Sequence, residues 1–376
     1  MKNIYEIAIN GFKDEQGYLS NCPNQIPITT YLWVITSIFG KNILIPKIFN
    51  IICNVGIIYF LYKIYLVIAD TNELSSDKKA IMWFSTPILS VVLYENHIYN
   101  DILFTFLTTI LIYLVLKKQD TNLIFAIVCV LSVVQYVIRP TGIIYIIAIF
   151  LYMVLYQQHY RKALVYVLFC VSLIFGVGKL NKKIFNVDTT KEYPIWSYIQ
   201  MGVNEQEFGF QDGSHSMDWT KEDCVEKYKA LGMRKLLRIY VKKEIWMWSE
   251  GTYQAERYGL GDYYATFTKD NKITETVRNV DNSMIRKVLE QMMKAQYYIY
   301  MFFALVGLLT VWKRNRKDMR LQVLLLYVIC GFFCFYLVWE IKSRYIYSLY
   351  PIFMIYGFIG FSIFVDGIEK IFGGNR

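Results

Sequence analysis

The sequence predicts an all-α integral membrane protein, a helical bundle with about nine spanning helices. First, apolar residues make up 55% of the 376 residues and the mean hydropathy is +0.32, which is more apolar surface than one soluble core buries. Second, apolar runs recur along the chain, and polar loops separate them. Third, 17% of the residues are aromatic, including 32 tyrosines, which is typical of rings that anchor helices at a membrane–water interface.

The formal net charge of +10 would suggest a nucleic-acid partner if the chain were soluble. Here the basic residues cluster in the loops between apolar runs, a distribution that sets the orientation of membrane helices. We therefore expect the lipid bilayer as a partner and no nucleic acid.

The candidate helices follow in chain order. Residues 1–25 are polar, and no apolar core or cleavage site of a signal peptide follows the charged start. The apolar run at 27–39 is about half as long as a bilayer crossing requires, so it predicts a helix that lies in the membrane surface or re-enters it. Several of the spanning candidates are shorter than the usual ~20 residues, which predicts tilt, local thinning or burial among neighbouring helices. These candidates are 47–69, 80–94, 98–116, 121–138, 141–157, 162–180, 295–312, 320–339 and 345–366.

Loop charge predicts the orientation of the bundle. Most loop cations belong to one alternate set of short loops: Lys78, Lys79, Lys117, Lys118, Arg161, Lys162, Lys313, Arg314, Arg316, Lys317 and Arg320. The other set carries only Arg139, Lys342 and Arg344. Because cytoplasmic loops are enriched in Lys and Arg, we expect the first set to be cytoplasmic. Residues 95–101, the Arg139–Pro140 step, the long segment 181–294 and residues 340–345 then lie outside. The amino terminus is also outside, and the carboxyl terminus is inside.

Three regions follow from this order. They are a first transmembrane region at 1–180 that opens with an outer loop, a helical cap on the outer face at 181–294, and a second transmembrane region at 295–376. In the cap, Thr220 followed by Asp223 resembles a capping box and predicts a helix of about 25 residues that ends near Trp248. We expect this helix to bury one apolar face, made of Val225, Tyr228, Leu231, Leu236, Ile239, Tyr240 and Ile245. A second cap helix is expected to start at Asn282 or Ser283 and to run into the span at 295.

The cysteines do not predict a metal centre. Most of them lie in apolar runs and are interpreted as packing residues: Cys53, Cys129, Cys170, Cys330 and Cys334. Cys330 and Cys334 share a helix face, but two sulfurs without further ligands make a poor metal site. Cys22 and Cys224 lie in polar segments and would pair if they were oxidised.

The polar turn at 94–101 carries the first candidate catalytic residues, Glu95, His97 and Asp101. A carboxylate held at a membrane surface can take the proton of an acceptor hydroxyl or hold a divalent cation such as Mg²⁺ or Mn²⁺, and a histidine assists either task. The alternative interpretation is that Asp101 caps the helix beginning at Ile102 and that the other two are solvated.

The outer basic residues Arg139, Lys342 and Arg344 are candidate ligands of one anion. An arginine at membrane depth normally has an anionic partner, and Arg139 has no carboxylate nearby in sequence. The phosphate of a lipid-linked donor fits the geometry of a guanidinium. Alternatively, Arg139 snorkels to ordinary headgroups, and Arg344 pairs with Glu340 four residues before it on a helix.

A third group of candidates is aromatic. Trp246, Trp248 and Tyr253 surround Glu250 and offer flat faces of the kind that stack on sugar rings. Trp and Tyr near a membrane are also common interfacial anchors, so both interpretations stay open.

Four segments resemble the polytopic glycosyltransferases of the GT-C fold, the class that includes dolichyl-phosphate-mannose protein mannosyltransferases and aminoarabinose-lipid A transferases. They are the early run IAING at 7–11 with CPNQIP at 22–27 and IFGKN at 38–42, the turn YENHIYND at 94–101, the RP break at 139–140, and the late run RYIYSLYP at 344–351. The similarity covers nearly the whole chain.

The resemblance implies a transferase in a bacterial plasma membrane. Such an enzyme moves a sugar from a polyprenyl-phosphate donor to a cell-surface glycan or lipid acceptor on the extracytoplasmic face. Asn24, Glu340 and Tyr345, with the aromatic group, are the candidate contacts of the sugar or acceptor. The resemblance also implies a first helix and a catalytic acid upstream of Met1, so either the start was assigned too late or this chain is a truncated remnant. Asp14 and Glu15 do not inherit that role.

Two alternatives to a transferase remain. A transporter or flippase for lipid-linked glycans predicts pseudo-symmetric halves and ionisable groups near the bilayer midplane. An inactive scaffold is the third hypothesis. The clustering of charges on one face, beneath a long cap, favours the transferase.

Overall fold

The computed structural model describes residues 2–14, 17–72, 77–117, 121–185, 188–206, 208–210, 217–258, 284–313 and 320–372. Within these ranges the chain is helical and has no strand, apart from one isolated parallel bridge between Phe210 and Ile341. The all-α prediction is therefore confirmed for the described residues. Several residues named above lie outside those ranges, namely Glu15, Lys118, Asn282, Ser283, Arg314, Arg316 and Lys317.

We number the α-helices in chain order. They are α1 (Lys2–Ile9), α2 (Tyr18–Asn21), α3 (Ile26–Phe39), α4 (Leu44–Asn72), α5 (Asp77–Ser85), α6 (Leu89–Tyr94), α7 (Asn100–Leu116), α8 (Asn122–Ile138), α9 (Gly142–Leu151), α10 (Tyr160–Ile184), α11 (Ile195–Met201), α12 (Lys221–Ser249), α13 (Ala255–Tyr258), α14 (Met284–Lys313), α15 (Arg320–Val338) and α16 (Tyr350–Phe372). A π-helical turn, Tyr152–Tyr156, extends α9, and 3₁₀ turns occur at Pro23–Gln25, Thr189–Lys191 and Ser343–Leu349.

Four helices of the described chain are long and apolar enough to cross a membrane: Leu44–Val67, Tyr160–Asn181, Arg286–Thr310 and Ser343–Ile371. Shorter apolar helices accompany them at Asn100–Leu116, Asn122–Ile138, Gly142–Tyr156 and Val323–Val338. A helical membrane protein is thus supported, whereas the number of crossings stays a prediction.

The predicted span at 80–94 is not one helix. α5 ends at Ser85 and α6 begins at Leu89, because Pro87 cannot continue the hydrogen-bond ladder of a helix. Gln296 of α14 satisfies the backbone groups freed by the break. Its side chain accepts from the Leu89 N–H at 2.8 Å and donates to the Pro87 carbonyl at 2.7 Å. An interrupted helix is tolerated at membrane depth when a neighbour supplies such partners.

Helices α14 and α16 pack with their backbones almost in contact. A Cβ atom added to Gly307 would lie 2.0 Å from the Tyr356 carbonyl oxygen, and one added to Gly360 would lie 2.0 Å from that of Phe303. Small residues at facing positions allow this approach, which is a common way for membrane helices to associate.

The short helix predicted at 27–39 forms as α3. Ile28, Leu32 and Ile35 are buried, whereas Trp33 and Ile38 are exposed. Because α3 packs on α1 and keeps an exposed apolar side, its location in a membrane surface stays a prediction.

The capping box at Thr220 is confirmed. The Thr220 hydroxyl accepts from the Asp223 N–H at 3.2 Å, and the Asp223 carboxylate accepts from the Thr220 N–H at 2.9 Å. α12 follows and bends at Gly232, whose φ of 65° is left-handed and therefore favours glycine.

Cys22 and Cys224 are free thiols, so the structure does not contain the disulfide considered from sequence. The Cys224 thiol donates to the Trp196 carbonyl at 3.2 Å. Burial raises the pKa of the Cys224 thiol.

Lys243 of α12 links the cap to the bundle through hydrogen bonds. Its fully buried ammonium donates to the carbonyls of Gly202 and Trp339, each at 2.8 Å. Burial lowers the pKa of Lys243 to about 7. Nearby, the Ile341 N–H donates to the Gly209 carbonyl at 2.8 Å, so cap and bundle are joined through backbone groups.

Candidate active site at the loop end of the bundle

Asp101 is the centre of a buried polar cluster. It lies in the first turn of α7 and is 1% exposed. One carboxylate oxygen accepts from the Tyr94 hydroxyl at 2.9 Å, and the other accepts from the Arg139 guanidinium. The interpretation of Asp101 as a helix cap is therefore wrong, because α7 starts one residue earlier and both carboxylate oxygens bind side chains.

Arg139 lies where α8 ends. The following proline disfavours the helical conformation of the residue before it, and Arg139 is extended, with φ −149° and ψ 121°. Its guanidinium turns inward to Asp101 and lies over the rings of Phe104 and Tyr345, at 5.6 and 5.3 Å. Arg139 has no carboxylate nearby in sequence, but the fold brings one from a position 38 residues away.

His97 and Arg344 complete the cluster. His97 Nε2 lies 3.3 Å from Arg344 Nη1 and 3.7 Å from the Asp101 carboxylate. Burial, together with the nearby Arg344 charge, lowers the pKa of His97 well below 6.5. Since a guanidinium only donates, we assign Nε2 of the neutral imidazole as the acceptor.

Glu95 faces a different neighbour. Its carboxylate accepts from the Asn54 side chain at 2.9 Å, while Asn50 donates to the Glu95 and His97 carbonyls at 2.9 and 3.1 Å. Burial raises the pKa of Glu95. The two asparagines of α4 thus hold the 95–99 turn in place, and Glu95 is not on the wall of the cavity described next.

A cavity of about 560 Å³ opens beside the cluster. This volume lies within the range typical of small-molecule sites. Its wall is formed by segments near 18–25 and 192–198, by the ends of α8 and α15, and by the 340–345 loop. Five of the residues predicted from sequence line it: Asn24, Arg139, Glu340, Arg344 and Tyr345.

Glu340 is the buried carboxylate of this cavity. It is 3% exposed, and one oxygen accepts from the Tyr345 hydroxyl at 2.5 Å. The other oxygen, Oε2, is buried and has no hydrogen-bond partner among the described residues. Burial raises the pKa of Glu340 above its ordinary value of 4.5.

The 340–342 segment is extended and not helical. The predicted pairing of Glu340 with Arg344 assumed helical spacing, and that assumption is wrong. Lys342 is close enough for its charge to act on Glu340, and burial followed by repulsion from Arg344 lowers the pKa of Lys342 to about 8.

Trp246 and Trp248, the candidate sugar-stacking tryptophans, do not line the cavity. The Trp248 indole N–H donates to Glu244 at 2.7 Å, and its ring lies edge-on to Phe353. Trp246 is 36% exposed and contacts Phe210 edge-on at 5.1 Å. The two rings are therefore engaged in packing contacts within the protein.

Tyr253 and Glu250 also differ from that expectation. Tyr253 is buried and lies edge-on to Tyr297 and Tyr347 at 5.7 and 5.5 Å. The Glu250 carboxylate accepts from the Thr252 N–H at 3.1 Å. Tyr253 therefore has no ring face available for a sugar.

Sequence reasoning missed the aromatic wall of the cavity. Tyr336 stacks on Tyr345 at 5.7 Å, and Tyr198 stacks on Trp339 at 5.3 Å. A signal was present, because Tyr336 and Trp339 lie within four residues of Glu340 in the sequence. The abundance of tyrosine along the chain concealed this signal.

The cluster does not fit a divalent cation. Asp101 already binds Arg139 and Tyr94, and a second guanidinium lies beside His97. Among the described residues, no group of three or more His, Cys, Asp or Glu side chains is arranged to hold a metal ion. Mg²⁺ prefers several oxygen ligands and little competing positive charge.

No family model, curated protein or solved structure matches this chain. The geometry of the cavity is therefore the basis for a proposed function.

Proposed function

We propose that the protein is an integral membrane glycosyltransferase that moves a sugar from a polyprenyl-phosphate donor to a glycan or lipid acceptor on the outer face of the membrane. One observation carries the proposal. Two arginines and a buried carboxylate, Glu340, line the same cavity of about 560 Å³ at the loop end of a helical membrane bundle.

Arg139 and Arg344 are the proposed ligands of the donor phosphate. A guanidinium presents a planar set of donors that matches phosphate oxygens. Both side chains are largely buried, where charge interactions are stronger than in water. Asp101 has a positioning role, because it holds Arg139 while its own carboxylate is occupied.

Glu340 is the proposed proton acceptor. In the reaction, the acceptor hydroxyl oxygen forms a bond to C1 of the sugar as the bond from C1 to the phosphate oxygen breaks. The electron pair of the broken bond leaves with the polyprenyl phosphate, and Arg139 and Arg344 stabilise the charge that develops there. The hydroxyl proton passes to Glu340 Oε2. A carboxylate with a raised pKa suits this task near neutral pH.

The aromatic wall supports a sugar as the transferred group. Tyr345 and Trp339 are half-buried and line the cavity next to Glu340, and their rings offer apolar surface beside polar groups. This combination suits a pyranose, which has both apolar faces and hydroxyl edges.

Binding of polyprenyl phosphate tests the phosphate assignment, because this carrier is common to every such donor. In nanodiscs, Arg344→Gln should weaken retention of the radiolabelled carrier roughly ten- to hundred-fold, since one charged hydrogen bond contributes about 1.5–3 kcal/mol. Arg161→Gln is the matched control, because Arg161 is exposed at the start of α10. Unchanged binding in a folded Arg344→Gln variant would contradict the assignment.

The pH dependence of transfer tests the role of Glu340. The protein is given a panel of polyprenyl-phosphate sugars as donors and membrane glycans as acceptors. The rate of product formation should rise with pH as Glu340 loses its proton, and the midpoint of this rise should lie above pH 4.5. Glu340→Gln should remove transfer and this pH dependence while carrier binding persists. Glu192→Gln, an exposed carboxylate on the same cavity, should retain both. Movement of the donor across vesicles without product would instead support the transporter hypothesis.

A further inference from the structure

Beyond its bend at Gly232, helix α12 presents two apolar faces. The first is buried and includes Leu236 and Ile239, which pack with Val203. The second is an exposed row in which Met233 is 72%, Leu237 54%, Val241 56% and Ile245 61% exposed. The sequence predicted only a buried face, and its assignment of Val225 and Ile245 to that face is wrong, since Val225 is 42% exposed as well.

The exposed row is regular. Its members recur every four residues, so they form one ridge along the helix. Single exposed apolar residues are ordinary on protein surfaces, whereas a contiguous apolar patch marks a surface that something covers. α12 is not among the helices apolar enough to span a membrane, so its exposed ridge is not explained as the lipid-facing side of a span.

Positive charge flanks this ridge. Between Lys227 and Lys243 the sequence contains basic residues and no Asp or Glu. Arg234 and Arg238 lie next to the ridge and are exposed. An apolar ridge beside basic residues is the pattern of a helix that lies in a membrane surface, with its cations near anionic headgroups.

The end of α12 is tied to a candidate span. The Tyr297 hydroxyl donates to the Trp248 carbonyl at 2.7 Å, and the Tyr298 hydroxyl donates to the Ser249 carbonyl at 2.6 Å. Both tyrosines belong to the candidate span Arg286–Thr310. Residues 233–249 extend about 25 Å from this anchor, so the ridge is within reach of the bilayer surface.

We infer that the ridge formed by Met233, Leu237, Val241 and Ile245 inserts into the bilayer surface, with Arg234 and Arg238 bound to anionic phospholipid headgroups. The cap is then held by the lipid as well as by its contacts with the bundle. This inference does not depend on the proposed transferase activity.

Spin labels on two positions of α12 test the insertion. A nitroxide is attached through a bioorthogonal amino acid at position 237 or, as the control, at position 235, so that the native cysteines stay unlabelled. Lys235 is exposed on the opposite side of the helix and pairs with Glu205 at 3.2 Å. The measured quantity is the ratio of the label's accessibility to oxygen over its accessibility to a water-soluble nickel complex. In nanodiscs containing phosphatidylglycerol, this ratio should be several-fold higher for the label at 237 than for the label at 235.

Three other outcomes would overturn the inference. Equal nickel accessibility at the two positions would mean that the ridge faces water. Protection of position 237 from both oxygen and nickel would mean that protein, such as a second copy of the chain, covers the ridge. The double substitution Arg234→Gln, Arg238→Gln should reduce insertion in phosphatidylglycerol nanodiscs but not in phosphatidylcholine nanodiscs. An equal effect in both would mean that the two arginines do not bind anionic headgroups.

Discussion

Asp101 organises the residues of the candidate site. Its carboxylate is 1% exposed and accepts hydrogen bonds from Tyr94 and Arg139. A guanidinium buried without an anionic partner costs several kcal/mol, so Arg139 depends on this one contact with a carboxylate to reach the cavity wall. Asp101 is therefore a support of the site, and Glu340 is the carboxylate that faces the cavity.

Asp101→Asn should destabilise the protein by about 3–5 kcal/mol, because it leaves the Arg139 charge buried without an anion. Titration with a denaturing detergent in mixed micelles measures the free energy of unfolding. Asp366→Asn removes an ion pair with Lys79 at 2.5 Å, but the Asp366 side chain is 50% exposed, and exposed pairs contribute little. Equal losses of unfolding free energy in the two variants would show that the buried ion pair contributes no more to stability than the exposed one.

Among the contacts between helices, the close approach of α14 and α16 is the one in which a small substitution should change the stability of the bundle most directly. Gly307 and Gly360 let the two backbones meet, and a Cβ atom at either position would lie 2.0 Å from a carbonyl oxygen of the facing helix. Backbone atoms cannot rotate away as a side chain can, so an added methyl group must push the helices apart.

Gly307→Ala should therefore destabilise the bundle by about 1–3 kcal/mol, the usual cost of overpacking. The same unfolding titration measures the effect. In Gly176→Ala, the added methyl group in α10 would have no atom within 4 Å beyond the neighbouring residues and backbone of its own helix. The substitution should be neutral or slightly stabilising because alanine favours the helix. A neutral Gly307→Ala variant would mean that the helices are not in such close contact.

Cap and bundle form one assembly at the scale of the whole molecule. Lys243 links the Gly202 and Trp339 carbonyls, and the Gly202 backbone lies against the end of α15. A Cβ atom at Gly202 would lie 2.2 Å from the Val338 carbonyl oxygen. This contact positions the 340–345 loop, which carries Glu340 and Arg344.

Gly202→Ala should loosen the cap, with a loss of about 1–3 kcal/mol and faster protease cleavage of the segment after α11. It should also reduce carrier binding, because the 340–345 loop shifts with the end of α15. Gly178→Ala, with no atom within 4 Å of the added methyl group, is the control. Unchanged proteolysis and binding in Gly202→Ala would mean that the cap is docked without this contact.

Local patterns in the sequence determined the parts of the fold that depend on neighbouring residues. Apolar runs predicted most of the membrane helices, the Thr220–Asp223 pair predicted the start of α12, and the Arg139–Pro140 step predicted a helix end. Each of these signals acts over a few residues of chain, through helix periodicity, capping and the constraint of proline. Prediction failed at 80–94, where the apolar run was interpreted as one span although Pro87 interrupts the helix.

The tertiary structure decided which polar groups meet. The sequence supplied Asp101 and Arg139 as separate candidates, but only the packing of α7 on α8 made them a pair. It likewise offered Tyr253 as a candidate sugar contact, yet that ring is buried, and it placed Ile245 in a core from which the fold excludes it. Burial and pairing depend on contacts between residues far apart in the chain, and no local pattern records them. The composition thus determined a helical membrane protein, whereas the cavity with its arginines and Glu340 exists because distant loops converge at one end of the bundle.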